Sequence, residues 1–346
     1  MDINELFKIA TTNKASDLHI IVDNPPVLRI DGELKILKKF ESINNFDAEK
    51  MIFSILTEKQ KEDFIKDREL DFSYEIAGLS RYRVNLHWAR DKIGLVARVI
   101  STNIPTFEDI LLPPIINKLI DKTEGLILIT GPTGCGKSTT LAALIEKINQ
   151  QRFANIITLE DPIEFIFKPQ KSIIKQRQLG TDIKTFHGAL KHVLRQDPNV
   201  IMVGEMRDLE TIATTITLAE TGHLVLATLH THNASQTIDR IIDVFPPHQQ
   251  AQVRLQLSLS LRGVISQHLL PRLGGGRIAA REVLTNNPAV ANLIRENKIA
   301  QLHTVVQTSV NAGMFTMEQN VKELLAKKLI DENTGLAYLS NTQNNV

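Results

Sequence analysis

Residues Gly125 to Thr140 read GLILITGPTGCGKSTT, and this stretch restricts the fold of the 346-residue chain more tightly than any other. The apolar run Leu126–Ile129 feeds into Gly131-x4-Gly136-Lys137-Ser138, and a helix-compatible segment follows. Strand, glycine-rich loop and helix in that order form a phosphate-binding loop. Its glycines let backbone N–H groups converge on an anion, and the helix N-terminus adds a favourable dipole. Lys137 is expected to reach the β- and γ-phosphates, and the Ser138 hydroxyl to hold Mg²⁺. The expected contacts with ATP are Gly131, Pro132, Thr133, Gly134, Cys135, Gly136, Lys137, Ser138 and Thr139.

The rest of the composition narrows the class. A chain of this length is expected to hold two domains with sizeable cores. Formal net charge is only +1, which argues against a dedicated nucleic-acid binder, whose basic excess is usually large. Cys135 is the single cysteine, which excludes an intramolecular disulfide and a multi-cysteine zinc site; it reads as a small filler of the loop. Asp2 and Glu5 argue against a secretion leader, and no apolar run approaches the ~18 residues a membrane helix needs. A soluble, cytoplasmic protein is expected.

The first hundred residues read as an α+β unit. Asp2-x-x-Glu5 opens a helix whose Ile3, Leu6, Phe7 and Ala10 share one face. Strands are expected at Leu18–Val22, at Val27–Ile30 and Glu33–Leu37 around an Asp31-Gly32 turn, and at Phe72–Glu75, Ser80–Trp88 and Ile93–Ile100. One helical stretch spans 47–67, and the prolines near 102–115 mark a linker. The domains are thus expected at 1–101 and 116–346. In the second, strands at Leu126–Thr130, Asn155–Leu159, Val200–Val203 and Leu224–Leu229 alternate with helices at Lys137–Asn149, Lys184–Leu194, Leu209–Glu220 and Ala234–Ile242. That alternation implies an α/β fold with a mostly parallel, helix-covered sheet. Beyond Pro246 the pattern is helical, apart from a strand pair near Val264–Leu269 and Ala279–Val283. The tail from Ser340 is expected to fray.

Three further segments carry chemistry. Asn199–Glu205 is a buried-strand pattern ending in a carboxylate, and the C-terminal ends of parallel strands face the ligand crevice. There Glu205 would polarise the attacking water or hold the Mg²⁺ shell, directly or through water; the competing role is an acidic cap for the helix at Leu209. Glu160, Asp161 and Glu164 cluster after another strand, where mutual repulsion would be relieved by a cation or a polarised water. His230 ends a third strand, within reach of a γ-phosphate or of the activating carboxylate. Arg81 and Arg83 lie on one face of their strand; with Arg98 and Arg195 they are candidates for a charge donated in trans to a neighbour's γ-phosphate. The residues do not choose among these arginines.

ITGPTGCGKSTT, TLEDPIEF, LRQDPNVIMVGEMRD and ETGHLVLATLHTHNA resemble, in order, the Walker A, Asp box, Walker B and His box of the secretion-superfamily ATPases. These are hexameric motors of type II and type IV secretion and of type IV pili. Ala15–His19 and Arg81–Asn85 resemble that family's N-terminal domain. Ala289–Glu296 is similar to the AIRNLIRE signature of its pilus-retraction subgroup, with Val290 in place of Ile and Ala291 in place of the first Arg. The chain also lacks the four-cysteine zinc motif of the assembly ATPases. The resemblance implies a PAS-like α+β domain joined to a RecA-like P-loop ATPase domain, and a cytoplasmic homohexamer at the inner face of the inner membrane. It implies hydrolysis of ATP with Mg²⁺ to power pilus retraction and twitching motility, working on a membrane platform protein and the pilus machinery. Glu205 then matches the Walker B glutamate, Glu164 the Asp-box glutamate and His230 the His-box residue; either glutamate remains open as the base. A related secretion or accessory pilus ATPase and a DNA-handling RecA-like ATPase stay as alternatives, the second disfavoured by charge and by a single tryptophan.

Overall fold

The structure, a computed structural model, describes residues 2–30, 32–100 and 103–343, with the backbone alone given for 340–343. The chain divides into two compact units, one of residues 1–103 with 164–166 and one of 104–163 with 167–346.

The first unit begins with α1 (Ile3–Thr12), capped by the Asp2 carboxylate and burying Ile3, Leu6, Phe7 and Ala10 as its periodicity implied. Six strands follow in one antiparallel sheet: β1 (Asp17–Ile21), β2 (Val27–Ile30), β3 (Glu33–Ile36), β4 (Glu69–Ile76), β5 (Ser80–Ala89) and β6 (Lys92–Ile100), ordered β3-β2-β1-β6-β5-β4. Asp31, in the expected β2–β3 turn, lies outside the described residues. The helical stretch expected at 47–67 is two helices, α2 (Asn45–Phe53) and α3 (Glu58–Asp67). The break has a local cause: Thr57 and Gln60 form a reciprocal capping box that restarts the helix. In β5, Tyr82, Val84 and Leu86 face the core, which places Arg81, Arg83, Asn85 and His87 on the opposite face.

The second unit is built on a seven-stranded sheet. After α4 (Ile115–Ile120) come β7 (Gly125–Thr130), α5 (Lys137–Gln151), β8 (Asn155–Glu160), β9 (Ile173–Gln178), α6 (Phe186–Val193), β10 (Val200–Val203), α7 (Leu209–Glu220), β11 (Leu224–Leu229), α8 (Ala234–Asp243) and α9 (Pro247–Ser260). A hairpin of β12 (Leu261–Pro271) and β13 (Arg277–Thr285) completes the sheet, and α10 (Pro288–Arg295), α11 (Leu302–Thr308), α12 (Met317–Ala326) and α13 (Glu332–Gln343) close the chain. The order is β13-β12-β7-β11-β10-β8-β9, parallel throughout except for β13. Every residue of β7, β8, β10 and β11 is buried, as central strands covered on both faces require.

Three expectations change here. β9 was not anticipated, because its sequence IIKQRQ is polar and lies at the sheet's edge, where only one side needs a partner. The pair at 264–269 and 279–283 is a longer hairpin, nine residues in register from Gly263 with Thr285 to Pro271 with Arg277. The segment read as a linker over 102–115 groups with the second unit from Ile104, with Phe107 and Leu112 buried; Ser101 and Thr102 lie outside the described residues.

Candidate active site

β7 sits between β11 and β12, so its C-terminal end opens into the middle of the parallel sheet. The loop 131–136 leaves that end and α5 starts at Lys137 with no side-chain cap, which leaves its first N–H groups to be satisfied by an anion. Gly131 is a steric necessity: a Cβ there would lie 2.2 Å from the Gln267 carbonyl oxygen and 2.7 Å from Cys135 Sγ. Lys137 Nζ donates to the carbonyls of Gly131 and Pro132 at 2.7 and 3.1 Å, so the ammonium lies over the loop's concave side. Ser138 and Thr139 stand half-buried in the first turn of α5, and Thr133 and Gly134 are exposed at the loop's tip. An uncapped helix N-terminus, a lysine folded across it and a hydroxyl in its first turn fit a nucleotide's phosphates with Mg²⁺ held at Ser138.

Glu205 is brought to this loop by the strand ends on either side. After β10 the chain turns across its neighbours: Gly204 N–H donates to the Leu159 carbonyl at 2.8 Å, and Met206 N–H to that of Thr228 at 3.1 Å. A Cβ on Gly204 would stand 3.1 Å from the Leu159 oxygen, so the crossing is tight. Glu205 Oε1 lies 2.9 Å from His230 Nε2, and Oε2 lies 2.9 Å from Arg207 Nη2. With the Nε2 proton donated to Glu205, His230 Nδ1 accepts from the Thr133 hydroxyl at 3.5 Å, a long contact that links carboxylate to loop. Partial burial raises the Glu205 pKa, but hydrogen bonding from Arg207 and the charges of His230 and Arg207 outweigh it and hold the carboxyl below its ordinary range. The competing role for Glu205, a cap for α7, is filled by Asp208, whose carboxylate accepts from Thr211 N–H at 2.8 Å.

The other carboxylates separate. Glu160 is buried at the end of β8, where Thr158 Oγ1 and Gln176 Nε2 donate to it at 2.6 and 3.0 Å. Asp161 lies 3.8 Å from Arg207. Hydrogen bonds to Glu160 and a guanidinium near Asp161 thus partner two of the three carboxylates whose repulsion was expected to be relieved by a cation or a polarised water. Glu164 is exposed and groups with the first unit.

Arg81, Arg83 and Arg98 also belong to the first unit, with Arg83 and Arg98 directly paired across β5 and β6 and Arg98 Nε donating to Asp17 at 2.9 Å. Arg195 is exposed just before β10. The parallel topology puts it at the end of the sheet opposite its own phosphate loop.

Two residues of the site escaped the sequence reading. Arg207 fixes Glu205; its spacing of two from that glutamate was the available signal. Gln267 on β12 is 1% exposed; its Nε2 donates to the Cys135 carbonyl and its Oε1 accepts from Thr140 Oγ1, both at 2.8 Å. A buried amide inside an apolar strand was the only hint of it. Beside this brace a cavity of about 300 Å³ is lined by Gly136 and Thr139 and also by Asp109, Ile110 and Leu111.

Residues 113–333 match the model of the type II/IV secretion system protein family. The chain belongs to that family. It is 44% identical over 330 residues to the type IV pilus retraction ATPase PilT of Pseudomonas aeruginosa, covering 95% of this chain and 96% of the relative. It is 45% identical over 306 residues to a twitching motility protein of Neisseria gonorrhoeae, covering 88% of this chain and 82% of that one. Among solved structures it is similar to the pilus retraction motor PilT with bound ADP, with a TM-score of 0.92, 45% identity and coverage of 97% and 96%. This family member therefore has the mixed α/β fold of that motor, an N-terminal domain followed by an ATPase-type domain. Among the described residues no helix is long and apolar enough to cross a membrane.

Proposed function

We propose that this chain is a hexameric motor ATPase that hydrolyses ATP to drive retraction of a type IV pilus. The observation that carries the chemistry is the line Thr133–His230–Glu205–Arg207, which sets a fixed carboxylate beside the phosphate loop. Near-full-length similarity to a pilus retraction ATPase and a twitching motility protein supports the cellular task. In this reading Lys137 and the loop N–H groups hold the β- and γ-phosphates, and Ser138, with Glu205 directly or through water, would hold Mg²⁺. Mg²⁺ supplies charge neutralisation of the phosphates. Glu205 accepts the proton of the attacking water, and His230 keeps that carboxylate aimed. Glu164, the Asp-box glutamate, shares in that hydrolysis, and one or more of Arg81, Arg83, Arg98 and Arg195 serve the site of an adjacent subunit. The two compact units, 1–103 with 164–166 and 104–163 with 167–346, are the moving parts, and the partner is a platform protein at the cytoplasmic face of the inner membrane.

The test is steady-state ATPase activity across a protein concentration series, with oligomer mass read on the same samples. Specific activity that rises as the hexamer forms is expected. Constant activity per subunit from monomer upward would remove the composite site and, with it, the motor mechanism.

A further inference from the structure

Arg281 on β13 is a charged residue enclosed by the protein. It is 3% exposed, and no carboxylate among the described residues lies within ion-pair distance of it. Its guanidinium instead holds backbone carbonyls: Nη2 donates to Ile110 at 2.9 Å, and Nη1 to Leu111 at 3.1 Å and to Ala279 at 3.5 Å. Nε, also buried, has no partner. Burial pulls the pKa down to about 10, so the group stays charged at neutral pH. A buried cation without a counter-ion is costly to keep, and structural ion pairing does not explain it.

The carbonyls it holds are the wall of the cavity beside the phosphate loop. Asp109, Ile110 and Leu111 line that space together with Thr139, Gln267 and Arg281. The wall is a turn rather than a helix or strand, with Leu111 at φ 50°, a left-handed conformation a leucine rarely adopts. Hydrogen bonds inside 106–112, such as Leu112 N–H to the Phe107 carbonyl at 2.8 Å, shape it, and Arg281 ties the Ile110 and Leu111 carbonyls to β13. About 300 Å³, bordered by Gly136 and Thr139 at the start of α5, is room for the nucleoside end of a nucleotide whose phosphates lie on the loop.

We propose that Arg281 is a positioning residue for nucleoside recognition: by clamping the Ile110 and Leu111 carbonyls it holds the cavity wall against which base and ribose pack. The proposal rests on the nucleotide reading given above. It makes the chain's affinity for a nucleoside di- or triphosphate depend on a residue that touches no phosphate, and it ties that affinity to the placement of the 104–112 segment.

The test is calorimetric titration of the full chain, as wild type, Arg281→Gln and Arg281→Lys, with ADP and separately with inorganic tripolyphosphate, which has no nucleoside. Arg281→Gln is expected to weaken ADP binding by tenfold or more while tripolyphosphate binding stays within twofold. Arg281→Lys, which keeps a cationic donor for the carbonyls, is expected to recover part of the loss and serves as the reporter if the glutamine variant does not fold. Unchanged ADP affinity in both variants, or equal losses for ADP and tripolyphosphate, overturns the proposal. Wild type that binds neither ligand overturns the nucleotide reading itself, which separates the two failures.

Discussion

Gln267 on β12 and Cys135 in the phosphate loop are joined by a 2.8 Å hydrogen bond from the amide Nε2 to the backbone carbonyl. The same side chain accepts from Thr140 in the first turn of α5, so one amide ties both ends of the loop-to-helix junction to the neighbouring strand. Gln267→Leu removes both bonds and leaves a buried carbonyl and a buried hydroxyl unpaired. The expected loss is about 1–3 kcal/mol per unsatisfied group, with weaker ADP binding. Urea denaturation and ADP titration check this; a variant with wild-type midpoint and affinity would remove Gln267 from the site's support.

Gly131→Ala places a methyl where the Gln267 carbonyl and the Cys135 sulfur already stand. The loop must open or shift to admit it, and β7 and α5 have other packing to keep them folded. Nucleotide binding is expected to fall at least about tenfold, with most of the thermal stability kept. Retained affinity in a folded variant would mean that the loop relaxes freely, contrary to its close contacts.

Glu205 supplies a pH dependence whose sign follows from its depressed pKa. A carboxyl held below its unfolded value adds stability that is present above that value and is lost as pH falls through the folded one. The stability difference between wild type and Glu205→Gln is therefore expected to be largest near neutral pH and to shrink on acidification below its ordinary 4.5. Denaturation series between pH 7 and pH 3, at several points, read this directly. A difference independent of pH would show that Arg207 and His230 do not favour the charged form.

His230→Ala frees one oxygen of Glu205 and cuts the contact to Thr133. Turnover is expected to drop by roughly 10²-fold, with KM for ATP little changed, because Lys137 and the loop are untouched. A rise in KM with unchanged kcat would instead assign the histidine to ground-state binding.

Cys135 is buried, and burial pushes its thiol pKa up despite the nearby Lys137 charge. Reaction with a maleimide at neutral pH is expected to be slow in the native protein and fast in denaturant. Cys135→Ala should keep most turnover, consistent with a filler. Rapid native labelling would mean that the loop opens far more often than its packing suggests.

How far the sequence reached depended on how local each signal was. The phosphate loop was legible because glycine, lysine and serine at fixed offsets do their work within about two turns of chain. Strands β7, β10 and β11 were legible because a strand buried on both faces must be apolar along its whole length. β9 was not, since an edge strand with one covered side leaves no comparable pattern. The restart at Thr57 was written in a capping box that a periodicity reading passes over.

The sequence by itself thus determined the fold class, the nucleotide loop and the strand that delivers Glu205. The tertiary structure decided which side chains meet there. His230 reaches Glu205 and Gln267 reaches Cys135 because the order β13-β12-β7-β11-β10-β8-β9 sets particular strand ends side by side, and Arg281 reaches Ile110 because the 104–112 turn packs beside β13. Those pairings span up to 171 residues. Their strength comes from burial and geometry, and neither leaves a mark on the residues next to them in the chain.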